Sequence, residues 1–448
     1  MAEKPNGPNP KRSRGIPTVS AVLPNGAIVE MIYRPTERQS AFVICEADQW
    51  RVAPVLDGGS GRRLIPYSPQ NNLLRNEVVL LPSEPLEYGT ESDLVSEIRA
   101  FIHRHVDVSP LFETIASYYV LMSWIYEDFN ELPYLRVRGD PGSGKTRLLL
   151  TVGALCYKPI FASGASTVSP IFRILDAVRG TLIIDEGDFR ATDERAEIIK
   201  ILNNGNAKGF PVLRSEANRQ GEFNPRAYAV FGPKLVATRG FFEDRALESR
   251  CLTEEMGHGR LREDIPISLA ADHKDEALIL RNKLLLFRFR HLHRHQAMEQ
   301  EVDRTIEPRL SQIFLPLLSI IDDPKAQADL RALAQQYHRE MIADRGLDTE
   351  AQVLELVRDM LASEPGRLLA VKDVTSWFSD RHGTEFQRPI TAKWIGNVLR
   401  RRLGLKTYKS HGVFVIVPEE LSKLERLYEK YGVSPVEVST AEAEPPAA

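Results

Sequence analysis

The stretch Gly139-Asp140-Pro141-Gly142-Ser143-Gly144-Lys145-Thr146 constrains this chain more than any other. It matches G-x-x-x-x-G-K-[ST] without departure. Tyr134 to Arg138 reads as a strand before it, and Arg147-Leu-Leu-Leu150 opens an apolar helix after it. A strand, a glycine-rich turn and a helix in that order call for an α/β core. In such a turn, backbone N–H groups wrap an anion that a β-carbon would obstruct. The following helix points the positive end of its dipole at the same anion, with Arg147 in its first turn. Lys145 is expected to reach the β and γ phosphates of ATP, and Thr146 to place its hydroxyl on Mg²⁺. A chance glycine-rich turn is the bland alternative, and the flanking strand and helix weigh against it.

Further along, Thr181-Leu-Ile-Ile-Asp185-Glu186 is a short apolar strand that ends in two carboxylates. Asp185 is expected to hold the Mg²⁺ water shell and Glu186 to orient and activate the attacking water. Alone, such a pair also suits an ordinary helix N-terminus. The phosphate loop upstream gives it catalytic meaning. A third strand, Lys234-Leu-Val-Ala-Thr238, ends in a hydroxyl. Then comes Asp244-Arg245-Ala-Leu-Glu-Ser249-Arg250.

Together these residues resemble the AAA+ superfamily of P-loop ATPases. The likeness is greatest to its minichromosome-maintenance-like helicases and related replication ATPases of mobile elements. It rests on Gly139–Thr146, on Asp185-Glu186, on Ile201 to Arg214 as a pre-sensor insertion, and on Leu247-Glu-Ser249-Arg250 as a finger motif. The resemblance implies that Thr238 senses the γ-phosphate, with a local turn bond as the alternative. It implies that Arg250, or else Arg245, reaches a neighbouring subunit's nucleotide; the alternative is an ion pair with Glu243 or Glu248. It also implies a hairpin that carries Lys208 and Arg214 to DNA, and Arg281 as a second sensor on a lid helix. The chain departs from that family in three ways. Thr stands for the usual Asn at the sensor, residues 146–185 leave no room for an extra hairpin, and zinc-binding cysteines are missing from the N-terminal region.

The rest of the chain sets the frame. At 448 residues it is too long for one ordinary core, and 43% hydrophobic with 27% charged residues reads as globular. A net charge of −3 confines any DNA-binding surface to local patches. Cys45, Cys156 and Cys251 form no C-x-x-C pair, so neither a zinc module nor a disulfide framework is expected, and the thiols suit the cytoplasm. No apolar run is long enough to cross a membrane.

The expected organisation is a basic arm at 1–16 and a small β-rich domain at 17–88, with Asn25-Gly26 as a turn signal. A helical lead-in at 89–133 and an ATPase core with a parallel sheet at 134–256 follow. A helical lid and linker at 257–348, a winged helix-turn-helix at 349–432 and a disordered tail complete the chain. Around Arg288, Arg290 and Arg294 a solvated basic face is expected. His291 and His295 share helical spacing there, without the partners a metal needs. In the winged unit Lys393, Arg400 and Lys409 are the expected DNA contacts. Two functions follow from this reading. One is an oligomeric, expectedly hexameric, DNA helicase. The other is an ATP-switched initiator, loader or transposition regulator that does not unwind.

Overall fold

The computed structural model describes residues 15–57, 63–164, 166–185, 193–215, 224–257, 261–294, 301–364, 368–386 and 389–434. The chain divides into two compact units, residues 1–332 and 333–448.

The first unit opens on strands. Ser20–Val22 (β2), Ile28–Arg34 (β3), Gln39–Glu46 (β4) and Gln49–Ala53 (β5) form an antiparallel sheet in that order. Gly26, at φ +84, makes the turn between β2 and β3 that Asn25-Gly26 predicts. Ile16–Thr18 (β1), Leu56–Asp57 (β6) and Arg63–Pro66 (β7) form a second small sheet. After the short helix α1 (Asn72–Arg75), residues 78–80 run along the outer edge of the central sheet. There Phe161 N donates to Val78 O at 2.9 Å, so the edge is not left open.

Two helices lead into the core. Helix α2 (Glu91–His105) starts at Thr90 in a capping box with Asp93 and buries Leu94, Ile98, Phe101 and Ile102, the face its period predicts. Helix α3 (Pro110–Trp124) starts at Ser109, earlier than the apolar run from Ile115 suggests, and buries nearly every side chain.

The central sheet is parallel. Its strands are Tyr134–Arg138 (β8), Ile160–Ser163 (β9), Leu182–Asp185 (β10), Lys234–Thr238 (β13) and Cys251–Glu255 (β14). Their order is β14-β8-β13-β10-β9, so β13 lies between the strand before the phosphate loop and the strand ending in Asp185. The connecting helices are α4 (Lys145–Leu155), α5 (Val168–Val178), α6 (Asp193–Asn204) and α7 (Arg245–Glu248). Strands buried on both faces favour apolar runs such as Leu182–Ile184 of β10 and Leu235–Ala237 of β13, while β8 also buries Arg136. This mixed α/β core fits a P-loop ATPase.

Between α6 and β13 stands a hairpin of Val212–Arg214 (β11) and Arg226–Tyr228 (β12). Its base is tied by Lys234, which is fully buried, with no carboxylate paired to it among the described residues. The ammonium donates to Gly205 O at 3.0 Å, Val230 O at 2.9 Å and Gly232 O at 2.8 Å. Burial lowers the Lys234 pKa to about 7, and its charged form brings three protons to three carbonyls, one before the insertion and two after it. Gly205 admits the ammonium, because a β-carbon there would lie 2.4 Å from Lys234 Nζ.

Helices α8 (His273–His291) and α9 (Pro308–Leu318) follow. Of the solvated basic face expected from sequence, Arg294 is exposed but Arg288 is not. Arg288 is buried and donates to Glu30 of β3 at 2.8 Å and to Glu127 at 2.7 Å. Lys158 adds a cation 3.0 Å from Glu30. Burial alone would raise the Glu30 pKa, but Lys158 and Arg288 hold it below the ordinary carboxylate range. Arg290 pairs with Glu87, Arg294 with Asp48, and His291 Nε2 lies 3.2 Å from the Tyr88 hydroxyl. The reason is compositional: acidic residues far away in sequence face each basic one. His295 lies outside the described residues. The N-terminal strands also share one apolar core with the central sheet, where Val29 and Phe42 belong with Tyr134, Ile160 and Leu182.

The break between the units falls inside helix α10 (Pro324–Gly346). The second unit packs α11 (Thr349–Ser363), α12 (Val371–His382) and α13 (Ala392–Asn397) around their own core of Leu354, Val374, Phe378, Ile395 and Leu399. Helix α13 runs on through a π-helical turn to Arg402. A hairpin of Thr407–Ser410 (β15) and Val413–Ile416 (β16), then α14 (Leu424–Tyr431), complete it. Among the described residues, no helix is long and apolar enough to cross a membrane.

Candidate nucleotide site and nucleic-acid surfaces

The loop from Gly139 to Gly144 joins the end of β8 to the start of α4. Gly142 and Gly144 sit at φ +86 and +93, where a side chain would strain the backbone. A β-carbon on Gly139 would lie 2.4 Å from Met256 O. Ser143 N donates to Asp140 O at 3.2 Å and closes the turn, with Pro141 and Gly142 exposed at its crest. Lys145 lies along the loop, its ammonium donating to Gly139 O at 2.6 Å and Asp140 O at 2.7 Å. The glycines therefore leave a concave run of main chain with a lysine across it.

Thr146, one residue further, donates from Oγ1 to Asp185 Oδ2 at 2.7 Å. The tips of α4 and β10 thus bring together the two oxygen ligands named from sequence, across β13. An oxygen-only pair suits a hard cation such as Mg²⁺. Glu186 lies outside the described residues. Thr238 sits level with Arg138 on the neighbouring strand, at the same edge of the sheet as the loop. Its hydroxyl donates to Gly240 O at 3.0 Å, the local turn bond weighed as the alternative. Along the loop's flank runs an open cleft of about 320 Å³, lined by Arg138, Gly139, Arg239, Phe241 and Glu255. Arg138 stacks over the Phe241 ring at 3.5 Å.

Three expected ligands have other work. Arg147 donates to Pro266 O, and to Ile267 O at 2.7 Å, so it clamps a downstream loop. Arg281 does not reach the phosphate loop. It is 7% exposed and donates to Ala154 O at 2.9 Å, at the far end of α4, roughly 15 Å along the helix from Gly144. Burial lowers its pKa to about 10. A half-buried Arg250 donates from Nη1 to Asn203 Oδ1 and to Ala246 O, both at 2.8 Å. Neither Glu243 nor Glu248 holds it. Glu248 instead takes buried Arg136 of β8 in a bidentate pair, with Nη1 at 2.6 Å from Oε2, which fixes α7 against the sheet.

The two hairpin cations also differ from expectation. Lys208 precedes the hairpin rather than tipping it. Its ammonium donates to Glu127 O at 2.6 Å, and an isolated bridge pairs neighbouring Ala207 with Glu131. Arg214 lies on β11, bonded to Glu197 and 5.0 Å from the Phe172 ring. The hairpin's far end, residues 216–223, lies outside the described residues. Its stems are three residues each, too short for periodicity to set their ends.

In the second unit Lys393, on α13, and Lys409, on β15, are exposed. Arg400 is exposed too, and its guanidinium donates to Thr407 Oγ1 at 3.1 Å, joining helix to hairpin. Exposed Tyr408 and Phe414 stand on the same hairpin, an aromatic contribution the sequence reading did not weigh.

No family model matches the chain, and no curated protein does. Solved structures similar to it include the NrS-1 C-terminal region, at 10% identity and a TM-score of 0.37, covering 87% of this chain and 96% of that one. An active helicase, Cch of SCCmec type IV, is similar at 13% identity and a TM-score of 0.41, covering 91% and 80%. A RuvB mutant of Thermotoga maritima is similar at 12% identity and a TM-score of 0.23, covering 71% and 96%. Likeness at this level leaves the assignment to the chain's own residues.

Proposed function

We propose that this protein hydrolyses ATP as a helicase-like replication ATPase, acting on DNA as an oligomeric ring. One observation carries the reading: Thr146 and Asp185, from separate elements, meet at 2.7 Å beside a glycine loop that a lysine crosses. Random surface turns do not place two hard-oxygen ligands beside a phosphate cradle.

In this reading the N–H groups of Gly142 to Lys145 bind the phosphates and Lys145 neutralises their charge. Thr146 and Asp185 hold Mg²⁺, which when bound withdraws charge from the phosphoryl oxygens. Glu186, next to Asp185, orients and deprotonates water. Thr238 holds that water's position from the adjacent strand tip. Arg250 serves the site of the neighbouring copy. The β11–β12 hairpin follows DNA, with Lys208 and Arg214 steadying its base. The second unit is a winged helix whose α13 and β15–β16 hairpin present Lys393, Arg400 and Lys409 to phosphates. Its cluster of exposed basic residues favours nucleic acid over protein as the partner.

The rival is an ATP-controlled switch that loads or regulates other machinery without unwinding. The phosphate release rate, with and without single-stranded DNA, followed by strand displacement, separates them. Stimulation with unwinding supports the motor. Slow, DNA-insensitive turnover with retained DNA binding supports the switch. In either case Glu186→Gln is expected to bind ATP and stop turnover, and normal turnover by that variant rejects its role as base.

A further inference from the structure

The hairpin of the second unit has its register fixed by its turn. His411 and Gly412, at φ +44 and +81, both take the left-handed conformation that a two-residue turn between antiparallel strands requires. The register puts Lys409 opposite Phe414, and Tyr408 opposite Val415. Side chains alternate along a strand, so Lys409 and Phe414 share one face with Thr407, and Tyr408 belongs to the other. Phe414 is 51% exposed.

The helix that follows α13 delivers an arginine to the same face. Arg400 donates from Nη1 to Thr407 Oγ1 at 3.1 Å, and its guanidinium lies 6.0 Å from the centre of the Phe414 ring. One turn back, a glycine makes room for it. A β-carbon on Gly396 would lie 3.0 Å from Nη1 and 3.1 Å from Nη2. Glycine weakens a helix, and here it lets a planar cation lie against the helix surface beside the ring. Among the described residues no carboxylate pairs with Arg400 or Lys409; Glu350 of α11 takes Arg402 instead, at 3.4 Å.

A lone exposed phenylalanine needs no explanation. One bordered by two cations without a carboxylate of their own makes a different surface. The cations select a polyanion, and the ring discriminates between two forms of it. In a duplex the base faces are covered by neighbouring pairs, whereas a single strand can turn a base onto an aromatic side chain.

We propose that the second unit binds single-stranded DNA at this face, with an unpaired base stacked on Phe414 and with Arg400 and Lys409 on the adjoining phosphates. The proposal rests on the DNA reading of the second unit and narrows it from phosphates to unpaired bases. On a fork or bubble it assigns the unit to the opened strand rather than to the duplex.

The test uses the full chain and three probes: an oligothymidylate, an abasic strand of the same length and a duplex. Phe414 stands half exposed, so replacing it leaves the core of the second unit intact. Phe414→Ala is expected to weaken oligothymidylate binding about tenfold, the loss of one base–aromatic stack. Its affinity for the abasic strand and the duplex should match wild type. Phe414→Trp should keep the affinity, and the fluorescence it adds over wild type should be quenched by oligothymidylate and not by the abasic strand. Lys409→Ala should weaken binding of all three probes alike. An unquenched Phe414→Trp, in a chain whose DNA binding Lys409→Ala still weakens, overturns the proposal and leaves the phosphate reading standing. An equal loss by Phe414→Ala on all three probes makes the ring a support for phosphate contacts and overturns it too. No effect of any variant on any probe removes DNA from this face, leaves it to a protein partner and overturns both readings. If wild type binds none of the probes, the DNA reading itself falls first, and this proposal with it.

Discussion

His273 shows how a single buried group writes itself into stability. It is 5% exposed, its ring 4.8 Å from His105 and 5.0 Å from Phe101, and its Nε2 lies 3.4 Å from Thr151 Oγ1. Burial, then the charge of His105, lowers its pKa from 6.5 to about 4. Above pH 6.5 both folded and unfolded chains carry it neutral, and it contributes nothing to pH dependence. As pH falls from 6.5 towards 4, the unfolded chain takes up a proton that the folded chain refuses, so stability is lost across that window. The loss amounts to about 3 kcal/mol at most. Urea unfolding at pH 7 and pH 4.5 checks this: His273→Phe should lose less stability between the two than wild type. Parallel losses would assign the acid sensitivity to other groups. Arg281 teaches the complementary lesson. A basic residue on a helix after the core suggests a phosphate sensor, yet its guanidinium caps the carbonyl of Ala154. Sequence gives the helix; only packing says which end of α4 it meets.

At the scale of elements, legibility followed length and local chemistry. The phosphate loop was readable because its glycines answer a backbone demand: positive φ at Gly142 and Gly144 and a close approach at Gly139. Thr90 and Ser92 were both candidate caps from sequence, and Thr90 is the cap because Asp93 reciprocates within one turn. What could not be read were partners distant in sequence. Glu30 stands 258 positions from Arg288, and nothing local hints that they meet. The same holds for Arg309 and Ser249, and for Lys208, whose partner carbonyl belongs to Glu127. Lys234 starts β13 as read and is also the clasp of the hairpin insertion. Lys234→Met should leave the buried carbonyls of Val230 and Gly232 without a donor, while Gly205 O keeps Gly232 N, at a cost of about 2–4 kcal/mol. The insertion should loosen before the sheet does. Hydrogen exchange that quickens in residues 205–232 while β8 and β10 stay protected is the expected result. Uniform quickening across the sheet would show instead that Lys234 supports the core as a whole.

On the scale of the molecule, the N-terminal strands and the central sheet share one core, and the buried Glu30–Arg288–Glu127 cluster with Lys158 ties β3, the lead-in, the core and α8 together. Breaking such a cluster by removing one partner strands the remaining charges in a dry interior, which gives the contact specificity as well as strength. In that sheet the tips of β8, β10 and β13 lie side by side in register, with Thr238 level with Arg138 and Thr146 bonded to Asp185. The motor and switch readings both require a triphosphate beside those tips. Calorimetric titration of the full chain with a non-hydrolysable ATP analogue and Mg²⁺ tests this most directly. A saturable heat with one site per chain, absent in Lys145→Ala, is the predicted result; no heat in the folded wild type, or the same heat in Lys145→Ala, would contradict it.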